Sequence, residues 1–155
     1  MKRNAYVSWS GPARDGHGTF RVGSGAVTAP FTYNSRFVGN SQTNPEELLL
    51  SALAGCLTMA AAAALQSQTG TAGEIETSAE LDLVPHESGG YRIPRIRLEL
   101  QVAAGPPQDD LDRALAAAME MCPVCNALTG SDITVTIGPA TTEGGSRTTS
   151  EPAGY

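Results

Sequence analysis

Aromatic residues are scarce in this chain of 155 residues, at 5% of positions with a single Trp. Small aliphatic side chains must therefore do most of the packing in its core. Cations are few as well. Ten Lys and Arg stand against 16 Asp and Glu, for a formal net charge of -6. That balance, with no basic stripe and no series of stacking aromatics, argues against nucleic acid and anionic membranes as partners. Only two histidines occur, His17 and His86, and both fall in turn-like segments. They offer no second ligand pair to a thiol, so no metal centre is expected. No apolar run follows the opening MKRNAYVSWSG, so a signal peptide is not expected. Internal repeats are absent. Three cysteines in a chain without an export signal point to a reducing, cytoplasmic setting, where thiols are more often reactive than structural. The length suits one domain with its own core.

What the chain does have is one long greasy stretch, Thr43 to Leu65. Its start is well marked as a helix. Asn44 suits the cap, Pro45 the first turn, and Glu47 the capping-box position. From there the residues are apolar or small on every side, which predicts a helix buried all round. A membrane span is the weaker reading, because Leu48 to Leu65 is near the minimum length and opens beside two glutamates. Cys56 lies in the middle of this rod. A free cysteine in such surroundings is ordinarily a small buried hydrophobe.

Around the helix the pattern is mostly β. Ala5 to Trp9, Thr19 to Val22 and Ala26 to Phe31 read as short strands, the third interrupted by Pro30. After the helix, Ile75, Thr77, Ala79, Leu81 and Leu83 alternate with polar residues, which is the period of a half-buried strand. His86 to Gly90 make a turn, and Ile96, Leu98, Leu100 and Val102 return inward. Pro94 marks a slip of parity, so a bulge or an edge is expected there. Arg95 and Arg97 would face the acids of the partner strand. A second helix is predicted over Gln108 to Met121, with Leu111, Leu115, Met119 and Cys122 on its core face. Pro123 should end it, and a short helical turn should run from Val124 to Thr129 and stop at Gly130. Ile133, Val135 and Ile137 form a last strand. One domain over 1–137 and a flexible tail over 138–155 follow from this reading.

Two thiols on core-facing helical surfaces, Cys56 and Cys122, make a redox pair conceivable. A buried thiol has a raised pKa and is inert unless a cation is brought to it. Arg36 is the nearest candidate by sequence, and a buried arginine needs a carboxylate in turn. Glu46 is available for that. Yet ten residues of straight helix between Glu46 and Cys56 span about 15 Å. Either the helix breaks, or Glu46 serves a thiol in a second copy of the chain, and the latter favours a two-fold dimer.

The strings YNSRF, TNPEELLLSALAGC and CPVCNAL resemble the OsmC/Ohr family, the osmotically inducible and organic-hydroperoxide-resistance proteins. The likeness spans roughly residues 5 to 137 and is nearer to the OsmC branch. It implies an α+β fold of antiparallel strands wrapped around a buried central helix, in an intertwined homodimer. It implies a thiol peroxidase acting on organic hydroperoxides, with Cys56 reactive, Cys122 the second cysteine, Arg36 the arginine and Glu46 its acid. No cofactor is implied beyond an external dithiol reductant, a dihydrolipoyl group being one candidate. Two departures stand out: Cys125 replaces a more usual Ser, and Leu57 a common Phe. Leu53, Leu57 and Met59 would supply apolar pocket walls. Cys122-Pro123-Val124-Cys125 is also a CxxC, so a disulfide oxidoreductase is the alternative, and a non-catalytic binder of small apolar ligands is another.

Overall fold

The structure is a computed structural model that describes residues 1–37, 42–103, 105–129, 133–138 and the backbone of 141–142. These group into two compact units, Met1–Leu49 and a second that begins at Leu50.

The first unit is a three-stranded antiparallel sheet. Strands β1 (Ala5–Ser10), β2 (His17–Val22) and β3 (Thr28–Thr32) lie side by side in chain order. The few aromatics are concentrated here. Phe20 and Phe31 stack with centroids 3.9 Å apart, and Trp9 tilts against Phe31 at 5.4 Å. Gly18 makes this possible, because a Cβ there would lie 2.4 Å from the Phe31 ring. His17, expected in a turn, instead opens β2, paired with Ser10 and Thr32. Pro30 lies inside β3 rather than breaking it. An edge strand tolerates a missing N–H.

Helix α1 (Pro45–Thr69) begins in this unit and runs on into the second. Its cap is as expected: the Asn44 side-chain oxygen accepts from the Glu47 N–H at 2.8 Å. The helix is unbroken from end to end, so the alternative of a break between Glu46 and Cys56 does not occur. By length and composition it could cross a membrane. Here it buries one face, formed by Leu53, Leu57, Ala61, Ala64 and Leu65. It is not buried all round, however. Ala52, Gly55 and Ala63 are exposed and Met59 is 71% exposed, because the chain covers only one side of the rod.

In the second unit β4 (Ile75–Pro85) and β5 (Tyr91–Val102) form the long hairpin that the alternation predicts. Ile96, Leu98, Leu100 and Val102 are fully buried, while Arg95 and Arg97 pair outside with Asp82 and Glu80. Asp82 faces Arg95 and Val84 faces Arg92, so Ile93 and Pro94 share the single partner Leu83. That is the bulge expected at Pro94. Thr58 of α1 donates to the Ala54 carbonyl and lies 2.7 Å from the Thr77 hydroxyl of β4, which fastens the helix to the sheet. Helices α2 (Gln108–Met121) and α3 (Pro123–Leu128) follow.

Two findings differ from expectation. The buried face of α2 is Leu111, Ala114 and Ala118, while Met119 is exposed, so the helix is turned to bring alanines against its neighbours. Nor is the sheet wholly antiparallel. Strands β6 (Thr134–Ile137) and β7 (Thr141–Thr142) pair parallel to β5, because α2 and α3 return the chain to the end where β5 began. Gly130, and the tail expected to be flexible, lie outside the described residues, Gly138 and Thr141–Thr142 excepted.

Burial, not surface charge, should set the stability of this unit. Leu98→Ala is expected to cost about 2–5 kcal/mol in urea denaturation. Arg97→Ala removes an exposed ion pair and should cost less than about 1 kcal/mol.

Candidate active site

The four expected site residues fall into two groups. Arg36 and Glu46 lie in the first unit, and Cys56 and Cys122 lie in the second.

Arg36 ends a 3-10 turn, Asn34–Arg36, that follows β3. The turn is fastened by Ser35, a buried polar residue in neither the expected site nor the expected core. Its hydroxyl lies 2.8 Å from the Thr32 carbonyl and 2.9 Å from that of Thr43, and its own carbonyl accepts from Asn44 at 3.2 Å. One serine thus ties the turn to the start of α1. The result is the expected ion pair: Arg36 Nε donates to Glu46 Oε1 at 2.8 Å. The Glu46 side chain is 14% exposed, and its Oε2 is buried with no hydrogen-bond partner among the described residues.

The thiols form the second group. Cys56 is half-buried on α1 and Cys122 and Cys125 are buried. Cys122 ends α2 and caps α3, with an extended backbone at φ -77 and ψ 107. Pro123 forces that conformation on the residue before it, and has no N–H of its own. The next amides are therefore the ones free to turn back on sulfur. The Cys125 N–H donates to Cys122 Sγ at 3.3 Å, and the Val124 amide lies near both Cys122 and Cys56. Cys122 lies close enough to act on both Cys56 and Cys125.

The charge follows from these contacts. Burial pushes Cys56 up, the Val124 amide opposes it only in part, and the neighbouring Cys122 adds to the rise. Burial also works against ionising Cys122, but the Cys125 thiol and amide, the Cys56 thiol and the Val124 amide together outweigh it and lower its pKa. Cys125 is pushed up to about 12, first by burial and then by its bond to Cys122. Among the described residues, no cation figures among the groups that act on Cys56. Of the expected pocket walls, Leu53 and Leu57 are fully buried core residues and Met59 stands exposed. Among the described residues no group of His, Cys, Asp and Glu has the makings of a metal site.

An α+β unit with three clustered sulfurs, one of them half-open on a long helix, defines the molecule as a thiol protein. The OsmC-like protein family matches residues 38–138, and the chain belongs to that family. It is 34% identical over 130 residues to Peroxiredoxin OsmC of Escherichia coli, covering 83% of this chain and 90% of that one. Among solved structures it is similar to an organic hydroperoxide resistance protein OsmC of Legionella pneumophila, with a TM-score of 0.70 and 21% identity over 90% of this chain and 96% of the other. An OsmC-like protein of Mycoplasma pneumoniae gives a TM-score of 0.75 at 15% identity, over 92% of this chain and 97% of the other.

The thiols should leave a mark on alkaline stability. The folded state holds the Cys125 proton to about 12 against an ordinary 9.0, so its contribution is complete below 9.0 and is lost as pH rises towards 12. Cys56, also raised, acts in the same direction. The thermal midpoint of the reduced protein should fall across that interval, and Cys125→Ala should flatten the fall.

Proposed function

We propose that the chain is a soluble, cytoplasmic, thiol-dependent hydroperoxide reductase that defends against oxidative stress. It converts organic peroxides, and more weakly hydrogen peroxide, to alcohols or water. The observation that carries this reading is the closeness of the one thiol that is not buried, Cys56, to a buried one, Cys122, which acts on its ionisation. A sulfenic acid formed at the first has its resolving partner already beside it. The likeness to Peroxiredoxin OsmC supports the same reading.

The Cys56 thiolate attacks one peroxide oxygen, the O–O bond breaks, and the alcohol leaves with a proton. Cys56 is then a sulfenic acid. Cys122 attacks that sulfur, water leaves, and a disulfide remains. An external dithiol, a dihydrolipoyl group being one candidate, restores both thiols by exchange. No metal or bound cofactor enters the cycle.

Burial opposes the Cys56 thiolate, so a cation must offset it, and Arg36 takes that role. It reaches Cys56 within a two-fold homodimer, held in place by Glu46. Three features support a dimer. The unbroken α1 places about 15 Å of rise between Glu46 and Cys56 of one chain. Its exposed stripe Ala52, Gly55, Met59 and Ala63 is apolar and small. The buried Glu46 Oε2 lacks a partner among the described residues. That same stripe flanks Cys56 at helical spacing and favours alkyl hydroperoxides over hydrogen peroxide. A disulfide oxidoreductase built on Cys122 is disfavoured, since a fully buried sulfur does not meet a protein disulfide.

Cys56→Ser should abolish peroxide turnover while leaving the fold intact by circular dichroism. Retained turnover would remove the reading. Arg36→Ala should lower kcat/KM by roughly 10²-fold, and Arg36→Lys should recover only part of this, because an ammonium cannot contact acid and sulfur side by side. Both should move the alkaline rise of activity to higher pH. Light scattering at micromolar concentration should give twice the chain mass. A monomer there would mean that Arg36 does not act across copies.

A further inference from the structure

Cys125 takes no part in the two-thiol cycle, yet it is 4% exposed, its amide donates to Cys122 Sγ at 3.3 Å, and its thiol lies near the same sulfur. It stands three residues after Cys122 on the turn that Cys122 caps. Cα atoms so placed on a helical turn are about 5 Å apart. A disulfide spans about 4.4–6.8 Å between Cα atoms, so this pair can close without moving the backbone. Cys122 lies close enough to act on both Cys56 and Cys125, whereas Cys56 acts on Cys125 through charge alone. The middle sulfur can therefore be handed from one neighbour to the other.

We propose that Cys125 is a second resolving thiol, which attacks Cys122 Sγ in the Cys56–Cys122 disulfide and moves the oxidation to a Cys122–Cys125 disulfide. The step rests on the peroxidase reading above. The Cys122–Cys125 bond forms, the Cys56–Cys122 bond breaks, and Cys56 leaves as thiolate. The proton lost by Cys125 is taken up at the Cys56 side, so no outside oxidant or reductant is consumed. Its direction follows from geometry. Cys122 and Cys125 lie three residues apart on one turn, with the Cys125 amide already 3.3 Å from Cys122 Sγ, whereas Cys56 lies on a separate helix, so the pair within the turn closes at the smaller cost in chain ordering. The relay returns the half-open Cys56 to its reactive form while the oxidation is stored on two buried sulfurs. A chain without reductant can then consume a second peroxide, ending with one disulfide and one sulfenic acid.

The arrangement of the arginines makes this directly readable. Between Arg36 and Arg92 lies one tryptic peptide, 37–92, carrying Cys56, and between Arg113 and Arg147 lies another, 114–147, carrying Cys122 and Cys125. The full chain is reduced, freed of reductant, mixed with one equivalent of cumene hydroperoxide, quenched with acid at intervals, alkylated and digested. The expected course is a cross-linked 37–92/114–147 pair that decays while 114–147 gains an internal disulfide and Cys56 becomes alkylatable. Titration should consume two equivalents in the natural chain, with a dimedone adduct at Cys56, and one equivalent in Cys125→Ser or Cys125→Ala, a twofold difference. A cross-link that forms and persists overturns the relay and leaves the peroxidase reading standing. An internal disulfide that also forms in Cys56→Ser on the same timescale overturns the relay in favour of direct oxidation of Cys122. No thiol loss at all overturns both. The time course on the natural chain decides the matter even if the Cys125 variants fail to fold.

Discussion

A sulfur anion inside a protein has lost the water that would stabilise it, and donors must stand in its place. Everything about the α2–α3 junction answers this requirement at Cys122. Proline at position 123 ends α2, holds Cys122 extended, and contributes no N–H of its own. The Cys125 amide is thereby turned onto sulfur at 3.3 Å, with the Val124 amide and the two other thiols near enough to favour charge there as well. The contacts that favour charge on Cys122 disfavour it on Cys125, because each proton donated to one sulfur must be kept on the other. The ionisations of the three thiols are therefore linked, and Cys122 is the one whose charge the surroundings favour. Where that charge rests depends on what else approaches, and a guanidinium near Cys56 would draw it outward.

Helix α1 meets a different constraint. Its alanines and glycine give it little volume, so close approach rather than bulk must supply its contacts. On its covered side Leu53, Leu57 and Leu65 fill the core, and the Thr58–Thr77 contact fixes its position over β4. The other side offers Ala52, Gly55 and Ala63, which let another surface come near, with Met59 as a deformable filler. Cys56 lies between the two sides, which is why it alone among the cysteines is half-open. A bulkier exposed stripe would have kept a second surface away from the sulfur.

Features governed by local chemistry were legible in the sequence. The Asn44 cap, the hairpin with its Pro94 bulge, the pairs of Arg95 and Arg97, and the limits of α2 all follow from near neighbours or from period-two alternation. Arg36 and Glu46 were legible for another reason: Arg36 is the nearest cation before the helix, a buried arginine needs a carboxylate, and with Glu47 given to the cap Glu46 was the one available. What resisted reading was tertiary. Hydrophobicity alone favoured Leu115 and Met119 for the α2 interior, whereas packing distance selected Ala114 and Ala118. The parallel pairing of β6 depends on how far two helices carry the chain, which no strand pattern encodes. Ser35 gave no signal because its role lies in carbonyls that every residue possesses. Cys125 was visible as half of a CxxC, but its donation to Cys122 through a backbone amide was not.

The Arg36–Glu46 pair shows how a site can be prepared before anything binds. Arginine donates to the carboxylate through Nε, the inner nitrogen of its planar fork, at 2.8 Å. A planar guanidinium held in this way carries further N–H donors that a lysine could not place in the same geometry. The orphaned Oε2 of Glu46 has a cost, since an unsatisfied buried acceptor forfeits about 1–3 kcal/mol. A serine, an asparagine and a carboxylate are thus committed to holding one cation at the start of α1, which is more than packing alone requires.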